Sequence, residues 1–407
     1  MRILHVTQGY WPAIGGTELV MQRVSEELVA QFGDEVTVFT TNCYNGEGFF
    51  IPSAPRMPAG VETRDGVTIK RFEVMAQVSR VARRAQQLPW KYRLPFNQYL
   101  RALAGGPVIP GLTAAVRNAP ADVIAASSFP LMHMFTAERA ARQSGRPAVL
   151  CGGLHPDDEW GFERAMIYEA IRRVHYIAYT QFEADYVIRR GARPDHVHVI
   201  GAGVDPAQFT TAPTEARRRL GLDDGPVVGF IGQIGGHKGV DTLLYAMPEV
   251  WAAHPDAWLL IAGAKSGFYP EVERIVSTLP EAHRARVKLV PGFAQEDKGA
   301  LFAAVDVFAY PSGYESFGIA FVEAWTAGKP VVGCRRGAIP TVVADGVDGL
   351  LVEFGDPRGL AAAILRLLGD DALRRDFGEA GRRKVLARYT WPEIARRFRD
   401  VYQRAIG

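Results

Sequence analysis

The sequence predicts an α/β protein made of two doubly wound parallel-sheet domains. Short apolar runs alternate with amphipathic helices along the whole chain, and Gly- or Pro-bearing loops follow most of the runs. At 407 residues the chain is too long for one ordinary core. The alternation restarts after a segment rich in Gly, Pro, Asp and Thr at residues 201–225, which predicts the linker. We therefore expect domains at residues 1–203 and 204–387.

The first half contains six apolar runs of strand length. A hairpin with Asp65-Gly66 at its turn is expected before a further strand, Val67–Phe72. A helix opened by Thr17 carries its apolar residues on one stripe. The six predicted strands are Ile3–Thr7, Val36–Thr41, Asp122–Ala126, Ala148–Cys151, Tyr176–Tyr179 and Val197–Gly201.

The second half repeats this plan. Doubly wound domains carry their ligand loops at the carboxyl ends of the strands, so two facing domains would form a binding cleft, with the linker as the hinge of domain closure. The predicted strands are Val227–Ile231, Ala257–Ala262, Val287–Val290, Val305–Tyr310, Pro330–Gly333 and Gly349–Val352.

Composition excludes several classes of protein. A formal net charge of +3 argues against nucleic acid as the main ligand. The cysteines, Cys43, Cys151 and Cys334, show no metal or disulfide spacing, which suits a reducing cytoplasm. The first apolar run is too short for a signal peptide, and no run approaches the ~18 residues of a membrane span.

Residues 82–105 break the rhythm, because arginine and lysine alternate with aromatic residues there. A basic, aromatic surface segment can rest on anionic lipid headgroups, which would place the protein peripherally at the inner face of the membrane. An insertion packed on its own domain, with a solvated charged face, explains the same pattern. Prolines interrupt any continuous amphipathic helix in this stretch.

Two carboxylates, Glu315 and Glu323, flank a predicted helix start with seven residues between them. The intervening backbone amides are free to bind an anion, and each carboxylate can accept hydrogen bonds from hydroxyl groups. A nucleotide sugar presents these groups. Both could instead be ordinary helix residues, but Glu323 stands in an apolar segment where a carboxylate needs a partner.

Three other loops carry candidate residues. The turn from Gly232 to Gly239 opens a helix and includes Lys238, a compact positive charge for a phosphate. A glycine-rich turn containing Gly15 and Gly16 follows the first strand. His155 follows another strand. Each candidate also has a purely structural explanation. The Gly232–Gly239 turn could be an ordinary βα turn, and the Gly15-Gly16 turn an ordinary loop. His155 could be a structural histidine, with Asp157 as a helix cap.

Together these segments resemble the retaining glycosyltransferases of family 4, which have the GT-B architecture. The resemblance covers nearly the whole chain. It places the last helix, about residues 388–407, back on the first domain. The matching segments are Gly15–Glu18, Gly201–Asp205, Lys238–Asp241, Ile261–Gly263, Pro291–Phe293, Glu315–Glu323, Gly328–Val332 and Trp391-Pro392.

The resemblance implies a role for each site residue. Glu323 would bind the donor ribose, Glu315 would contact the transferred sugar, and Lys238 would neutralise the departing diphosphate. His155 matches a histidine that faces the transferred sugar. Further donor contacts are expected from the amides of Phe317, Gly318 and Ile319, from the Gly15-Gly16 and Gly232-Gln233 turns, and from Phe293 beside the base.

One position departs from the family pattern. Members usually carry an arginine after the glycine matched by Gly232, whereas this chain has Gln233. One bidentate phosphate contact is therefore missing. Arg335, Arg336 or Lys265, in loops at neighbouring strand ends, are the candidates to replace it.

The predicted activity is metal-independent transfer of a hexose from a UDP- or GDP-sugar to an acceptor hydroxyl, with retention, in polysaccharide, glycolipid or other glycoconjugate synthesis. The acceptor would be a sugar, a lipid-linked group or a small molecule. The chain has no D-x-D sequence of the kind that metal-dependent glycosyltransferases use. Two alternatives remain open: a nucleotide-sugar epimerase of the same fold, and a non-catalytic nucleotide-sugar-binding protein.

Overall fold

The chain divides into two compact units in a computed structural model that describes residues 1–13 and 15–407. Unit 1 comprises Met1–Ala202 and Trp391–Gly407, and unit 2 comprises Gly203–Thr390. The last helix therefore belongs to unit 1, although the whole of unit 2 separates it from the rest of that unit in sequence.

Unit 1 is built on an eight-stranded sheet of order β3-β4-β2-β1-β5-β6-β7-β8, in which only the β3–β4 pair is antiparallel. The strands are β1 (Arg2–Val6), β2 (Glu35–Thr41), β3 (Gly60–Arg64), β4 (Val67–Phe72), β5 (Val123–Ser127), β6 (Ala148–Cys151), β7 (His175–Ala178) and β8 (Val197–Val199). The helices are α1 (Gly16–Phe32), α2 (Ala76–Ala85), α3 (Gln87–Lys91), α4 (Asn97–Gly105), α5 (Leu112–Asn118), α6 (Met132–Gln143), α7 (Glu159–Phe162), α8 (Ala165–Ile171) and α9 (Gln181–Arg189).

Unit 2 is built on a six-stranded parallel sheet of order β11-β10-β9-β12-β13-β14. Its strands are β9 (Val227–Ile231), β10 (Trp258–Gly263), β11 (Val287–Pro291), β12 (Val307–Ala309), β13 (Val331–Cys334) and β14 (Gly349–Val352). Its helices are α10 (Pro213–Leu220), α11 (Val240–Ala253), α12 (Tyr269–Thr278), α13 (Glu281–Arg284), α14 (Lys298–Ala304), α15 (Ile319–Thr326), α16 (Ile339–Val342), α17 (Pro357–Leu368) and α18 (Asp371–Arg388); α19 (Trp391–Ile406) returns to unit 1.

Each sheet reverses its winding direction at one place. In unit 2 the chain moves outward from β9 through β10 to β11, and then from β12 through β13 to β14 on the other side. In unit 1 the corresponding reversal lies between β1 and β5. Ligands of doubly wound sheets bind beyond the carboxyl ends of the strands at such a switch point. The loops after β9 and β12 are therefore the expected ligand-binding loops of unit 2.

The predicted α/β class and both parallel sheets are confirmed, and most strand boundaries agree within a residue or two. The hairpin around Asp65-Gly66 is also present. Two predicted strands are longer than the observed ones. β12 begins at Val307 because the Val305 N–H still bonds to the Phe302 carbonyl of the preceding helix. β8 ends at Val199, ahead of Gly201, whose φ of 94° leaves the extended region.

A buried hydrogen-bonded set joins the last helix to the first strand of unit 1. His5 Nδ1 lies 2.7 Å from Ser25 Oγ, and His5 Nε2 lies 2.9 Å from the Tyr402 hydroxyl. The Ser25 hydroxyl donates its proton to the Met21 carbonyl. The His5 Nδ1–H therefore donates to Ser25, and Nε2 accepts from Tyr402. Burial lowers the pKa of His5 to about 3, so the folded protein keeps it neutral.

Mild acid should therefore destabilise unit 1. The ordinary pKa of 6.5 for His5 applies to the unfolded chain, so below that pH the unfolded state binds a proton that the folded state refuses until about pH 3. Stability is full above pH 6.5 and falls across this window by up to about 1.4 kcal/mol per pH unit for this group. Urea unfolding between pH 7 and pH 4 measures the slope. His5→Gln, which cannot titrate, should give a shallower slope; an equal slope in both proteins would contradict this account.

Candidate functional site

The loops after β9 and β12 meet at the switch point of unit 2. Lys238 ends the loop that follows β9, and its Nζ lies 2.7 Å from Glu315 Oε1 in the loop that follows β12. Both side chains are largely buried, with 14% and 12% of their surface exposed. The sequence treated these residues as separate candidates. The structure brings them together as one ion pair.

Backbone contacts hold these two loops in register. The Gly313 N–H donates to the His237 carbonyl over 2.9 Å. Gly239 caps α11 in the left-handed region at φ 70°, and a Cβ there would collide with the Pro311 carbonyl. Only glycine meets both demands. The position of Lys238 is thus set by the backbone and does not depend on its flexible side chain alone.

Glu323 is the fifth residue of α15 and is 7% exposed. We expected a carboxylate in this apolar segment to have a partner. The partner is Lys298, whose Nζ lies 2.8 Å from Glu323 Oε1. Lys298 is the first residue of α14, which follows β11. Sequence reasoning missed this lysine because nothing local shows that the start of α14 contacts α15.

The start of α15 presents backbone amides. Gly318 stands at its N-terminus with φ 87°, and a Cβ there would lie 2.7 Å from Phe321 Cδ2. The ring of Phe317 is buried against Tyr389, with 5.2 Å between ring centroids, so its backbone N–H is the group that can serve a ligand. The N–H groups at the very start of a helix, here including that of Ile319, have no carbonyl one turn earlier in the helix, whereas the Phe321 N–H bonds to the Gly318 carbonyl at 3.0 Å. They form an anion-binding end next to Glu315.

Gly232 and Tyr310 lie at the carboxyl ends of β9 and β12, the two strands that meet at the switch point. A Cβ at Gly232 would lie 2.9 Å from the Tyr310 hydroxyl, so this close approach requires glycine. Burial and the neighbouring Glu315 carboxylate raise the pKa of Tyr310 well above its ordinary range. The Lys238 ammonium lies 5.9 Å from the Tyr310 ring centroid. Tyr310 was missed in the sequence, although an aromatic residue with a polar end at a strand terminus is a usable signal.

The three candidates to replace the missing arginine differ in position. Gln233 itself is exposed. Lys265 follows β10, the strand beside β9, and the Ile234 N–H bonds to the Ala264 carbonyl, so the two loops run together. Arg335 forms an ion pair with Asp345 at 2.8 Å. It follows β13, which is two strands from β9 in the direction away from β10. Of these two cations, Lys265 is therefore the one that lies closer in the fold to the Gln233 loop and is better placed to replace the missing arginine.

Arg336 and Phe293 are the remaining donor-site candidates in unit 2. The Arg336 guanidinium lies 5.2 Å from the centroid of the Phe354 ring. Phe293 is partly buried just beyond the end of β11, two strands from β9. The base-contacting role of Phe293 stays a prediction.

The unit 1 candidates lie at carboxyl strand ends as expected. Gly15 is the N-terminal cap of α1 and Gly16 its first residue, in the loop after β1. His155 lies in the loop after β6, with its ring centroid 5.4 Å from that of Phe162. The alternative that Asp157 is a helix cap does not hold for α7, because its N-cap is Asp158, whose carboxylate accepts the Gly161 N–H.

A buried carboxylate that the sequence did not reveal shapes the His155 loop. Glu183 accepts the N–H groups of Gly153 and Leu154 at 2.9 and 3.0 Å, and the Tyr176 hydroxyl at 2.6 Å. Burial raises its pKa, while these hydrogen bonds oppose the rise. Glu183 thereby fixes the two residues immediately before His155.

Two family descriptions match the chain, one in each half. "Glycosyltransferase Family 4" matches residues 14–208, and "Glycosyl transferases group 1" matches residues 213–384. Together they cover most of both units and include every candidate site residue named above. The chain belongs to the family 4 glycosyltransferases.

Several curated relatives of this family 4 glycosyltransferase are similar in sequence. A D-inositol 3-phosphate glycosyltransferase from Xylanimonas cellulosilytica is 36% identical over 239 residues, 56% of each chain. A GDP-mannose-dependent monoacylated alpha-(1-6)-phosphatidylinositol monomannoside mannosyltransferase from Corynebacterium glutamicum is 34% identical over 54% of this chain and 60% of that protein. The chain thus spans about half the length of the curated relatives it matches.

Solved structures share the GT-B fold along the full chain. Anabaena HepE in complex with UDP gives a TM-score of 0.75 at 21% identity, covering 99% of this chain and 100% of that one. Sucrose-phosphate synthase from Thermosynechococcus elongatus gives 0.71 at 20% identity, covering 99% of each. The predicted GT-B fold class is confirmed by these likenesses together with the two doubly wound sheets.

Residues 1–13 and 15–407 bear on metal binding and on membrane crossing. No group of three or more His, Cys, Asp or Glu side chains in this part of the chain is arranged to hold a metal ion. Within the same ranges every helix is too short or too polar to cross a bilayer. Metal independence and location both stay predictions.

Proposed function

We propose that this family 4 glycosyltransferase transfers a hexose from a UDP- or GDP-sugar to an acceptor hydroxyl, with retention of the anomeric configuration. The observation that carries the proposal is the convergence of Lys238, Glu315 and the amide end of α15 at the switch point of unit 2. Charge of both signs beside free N–H groups suits a diphosphate joined to a polyol.

Each group of the donor has a counterpart in unit 2. The diphosphate would lie against Lys238 and the amides of Gly318 and Ile319, and hydroxyls of the transferred sugar would donate hydrogen bonds to the Glu315 carboxylate. The ribose diol would bind the Glu323 carboxylate, which Lys298 keeps paired and oriented when no donor is bound. The family resemblance supports these roles.

The proposed reaction breaks the bond between the sugar C1 and the diphosphate oxygen and forms a bond from C1 to the acceptor oxygen. The acceptor attacks from the face that the diphosphate leaves, and its proton passes to the departing phosphate. Charge develops on the leaving group, and we propose that Lys238 and the amides at the start of α15 stabilise it there. In unit 1 we propose His155 and the Gly15-Gly16 turn as further contacts with sugar and phosphate.

For the acceptor we propose a lipid-linked or inositol-containing alcohol in glycoconjugate synthesis. The curated relatives support this choice, since one is a D-inositol 3-phosphate glycosyltransferase and another is named for a phosphatidylinositol mannoside. We also propose a cytoplasmic location, since all three cysteines are free and buried.

Product analysis tests the proposal against its alternatives. The protein is incubated with each donor, with and without phosphatidylinositol or inositol phosphate, and sugar products are separated. A glycosylated acceptor with an unchanged anomeric centre is expected. Release of an epimerised free sugar without acceptor would favour the epimerase. Donor binding with neither transfer nor slow hydrolysis would favour a non-catalytic binding protein.

Gln233→Arg should tighten binding of the diphosphate. Gln233 is exposed beside the Lys265 loop, so arginine can enter without repacking and adds a bidentate phosphate contact. We expect UDP to bind about 10-fold more tightly by calorimetry, equivalent to roughly 1.4 kcal/mol. Lys265→Ala should weaken it, whereas Arg335→Ala should not. Equal losses in both alanine variants would contradict the assignment of Lys265.

A further inference from the structure

One segment of unit 1 carries the whole excess of positive charge. Between Glu73 and Asp122 the chain has no acidic residue and seven basic ones. Subtracting these seven from the 47 basic residues leaves 40 against 44 acidic residues elsewhere. The near-neutral total therefore hides a local concentration of charge. The basic residues are Arg80, Arg83, Arg84, Lys91, Arg93, Arg101 and Arg117.

The same segment exposes large apolar side chains. Its helices α2, α3 and α4 and their connections form an insertion between β4 and β5. Isolated exposed apolar residues are ordinary, but such a concentration marks an interaction surface. The exposed fractions are 65% for Val81, 64% for Leu88, 64% for Tyr92, 51% for Phe96 and 55% for Tyr99.

The inner side of this insertion is firmly packed. The Arg101 guanidinium is buried and donates to the carbonyls of Glu159, Trp160 and Glu163 at 2.7 to 3.0 Å. It also lies 4.2 Å from the Trp90 ring centroid, and the Trp160 Nε1–H donates to Gln86. The outer residues are thus exposed on an ordered scaffold. Arg80, Arg83, Arg84, Lys91 and Arg93 are all exposed beside them.

We propose that the outer side of α2–α4 is a docking surface for an anionic lipid bilayer. Phenylalanine and leucine enter the boundary between headgroups and acyl chains, tyrosine does so with its hydroxyl at the interface, and arginine and lysine bind lipid phosphates. The helices are short and carry charge, so they lie on the bilayer surface. A protein partner would need a face that is both acidic and apolar. An anionic bilayer has both properties, because its phosphates are negatively charged and its acyl chains are apolar. This inference does not depend on the sugar-donor site.

Vesicle co-sedimentation tests the proposal with the full chain. The protein should bind vesicles of phosphatidylcholine with phosphatidylglycerol, bind phosphatidylcholine alone at least about 10-fold more weakly, and detach at high salt. The variant Arg80→Gln/Arg84→Gln/Lys91→Gln should lose about 10-fold or more of the affinity for anionic vesicles. Tyr92→Ser/Phe96→Ser should lose affinity by a similar factor.

A matched variant removes the same charge from unit 2. Arg382→Gln/Arg383→Gln/Arg388→Gln alters exposed residues of α18 and should leave vesicle binding unchanged. All variants should keep the wild-type melting temperature and UDP affinity. Equal loss in the matched variant, or equal binding to neutral vesicles, would overturn the proposal. So would a wild-type dimer that Tyr92→Ser/Phe96→Ser dissociates, since the surface would then bind a second copy.

Discussion

Lys238→Ala is expected to lower kcat by roughly 100- to 1,000-fold while leaving the protein folded. The diphosphate gains charge as it leaves, and Lys238 is the ammonium that the β9 loop holds beside Glu315 at the switch point. A charge placed in a largely buried site counts for more than one in water. Removing it should therefore affect the transition state more strongly than the bound donor. Steady-state transfer assays separate kcat from KM.

Two further variants distinguish chemistry from general disturbance. Lys288→Ala removes a lysine from strand β11 of the same unit and should keep wild-type turnover. Lys238→Arg keeps the charge but not the compact ammonium and should recover part of the rate. If Lys238→Ala turned over at the wild-type rate, Lys238 would have no part in the mechanism.

Glu323→Ala is expected to weaken donor binding by roughly 10- to 100-fold, as for the loss of hydrogen bonds to a charged group. Glu323 is buried and already paired with Lys298, so its carboxylate is held in one orientation before the donor arrives. The variant also leaves the Lys298 ammonium without its partner in a largely buried place, which should lower the melting temperature. Calorimetric titration with UDP and thermal unfolding measure the two effects.

A double-mutant cycle with Lys298 separates the ribose role from the ion pair. Lys298→Met should cost less donor affinity than Glu323→Ala, because Lys298 acts through Glu323. In Glu323→Ala/Lys298→Met the melting temperature should partly recover while the donor affinity should not. Unchanged UDP binding by Glu323→Ala would remove the ribose role.

The strands and the class of fold were accessible from sequence because they depend on local patterns. Val227–Ile231 is an apolar run followed by Gly232, and Gly349–Val352 is an apolar run that begins with glycine; the structure gives both strands the same bounds. The glycine loops at strand ends were likewise visible. Since parallel strands end at one edge of the sheet, their spacing was enough to suggest a shared ligand site.

The partners within the site were not accessible, because they come from distant segments. Lys298 meets Glu323 across 25 positions, and Glu183 reaches Gly153 across 30. Neither pair has a local signature. Tyr310 was visible in the sequence as a tyrosine at a strand end, but its contact with Gly232 follows only from the pairing of β9 with β12. The pairing of Lys238 with Glu315 depends on the same strand order.

The central claim is that the switch point of unit 2 binds a nucleoside-diphosphate sugar, and a thermal-shift panel tests it most directly. Wild type and Glu323→Ala are each melted with UDP-, GDP- and ADP-sugars at matched concentration. At least one donor should raise the wild-type melting temperature by mass action, and the variant should lose most of that rise. No rise with any donor, or an equal rise in the variant, would contradict the account.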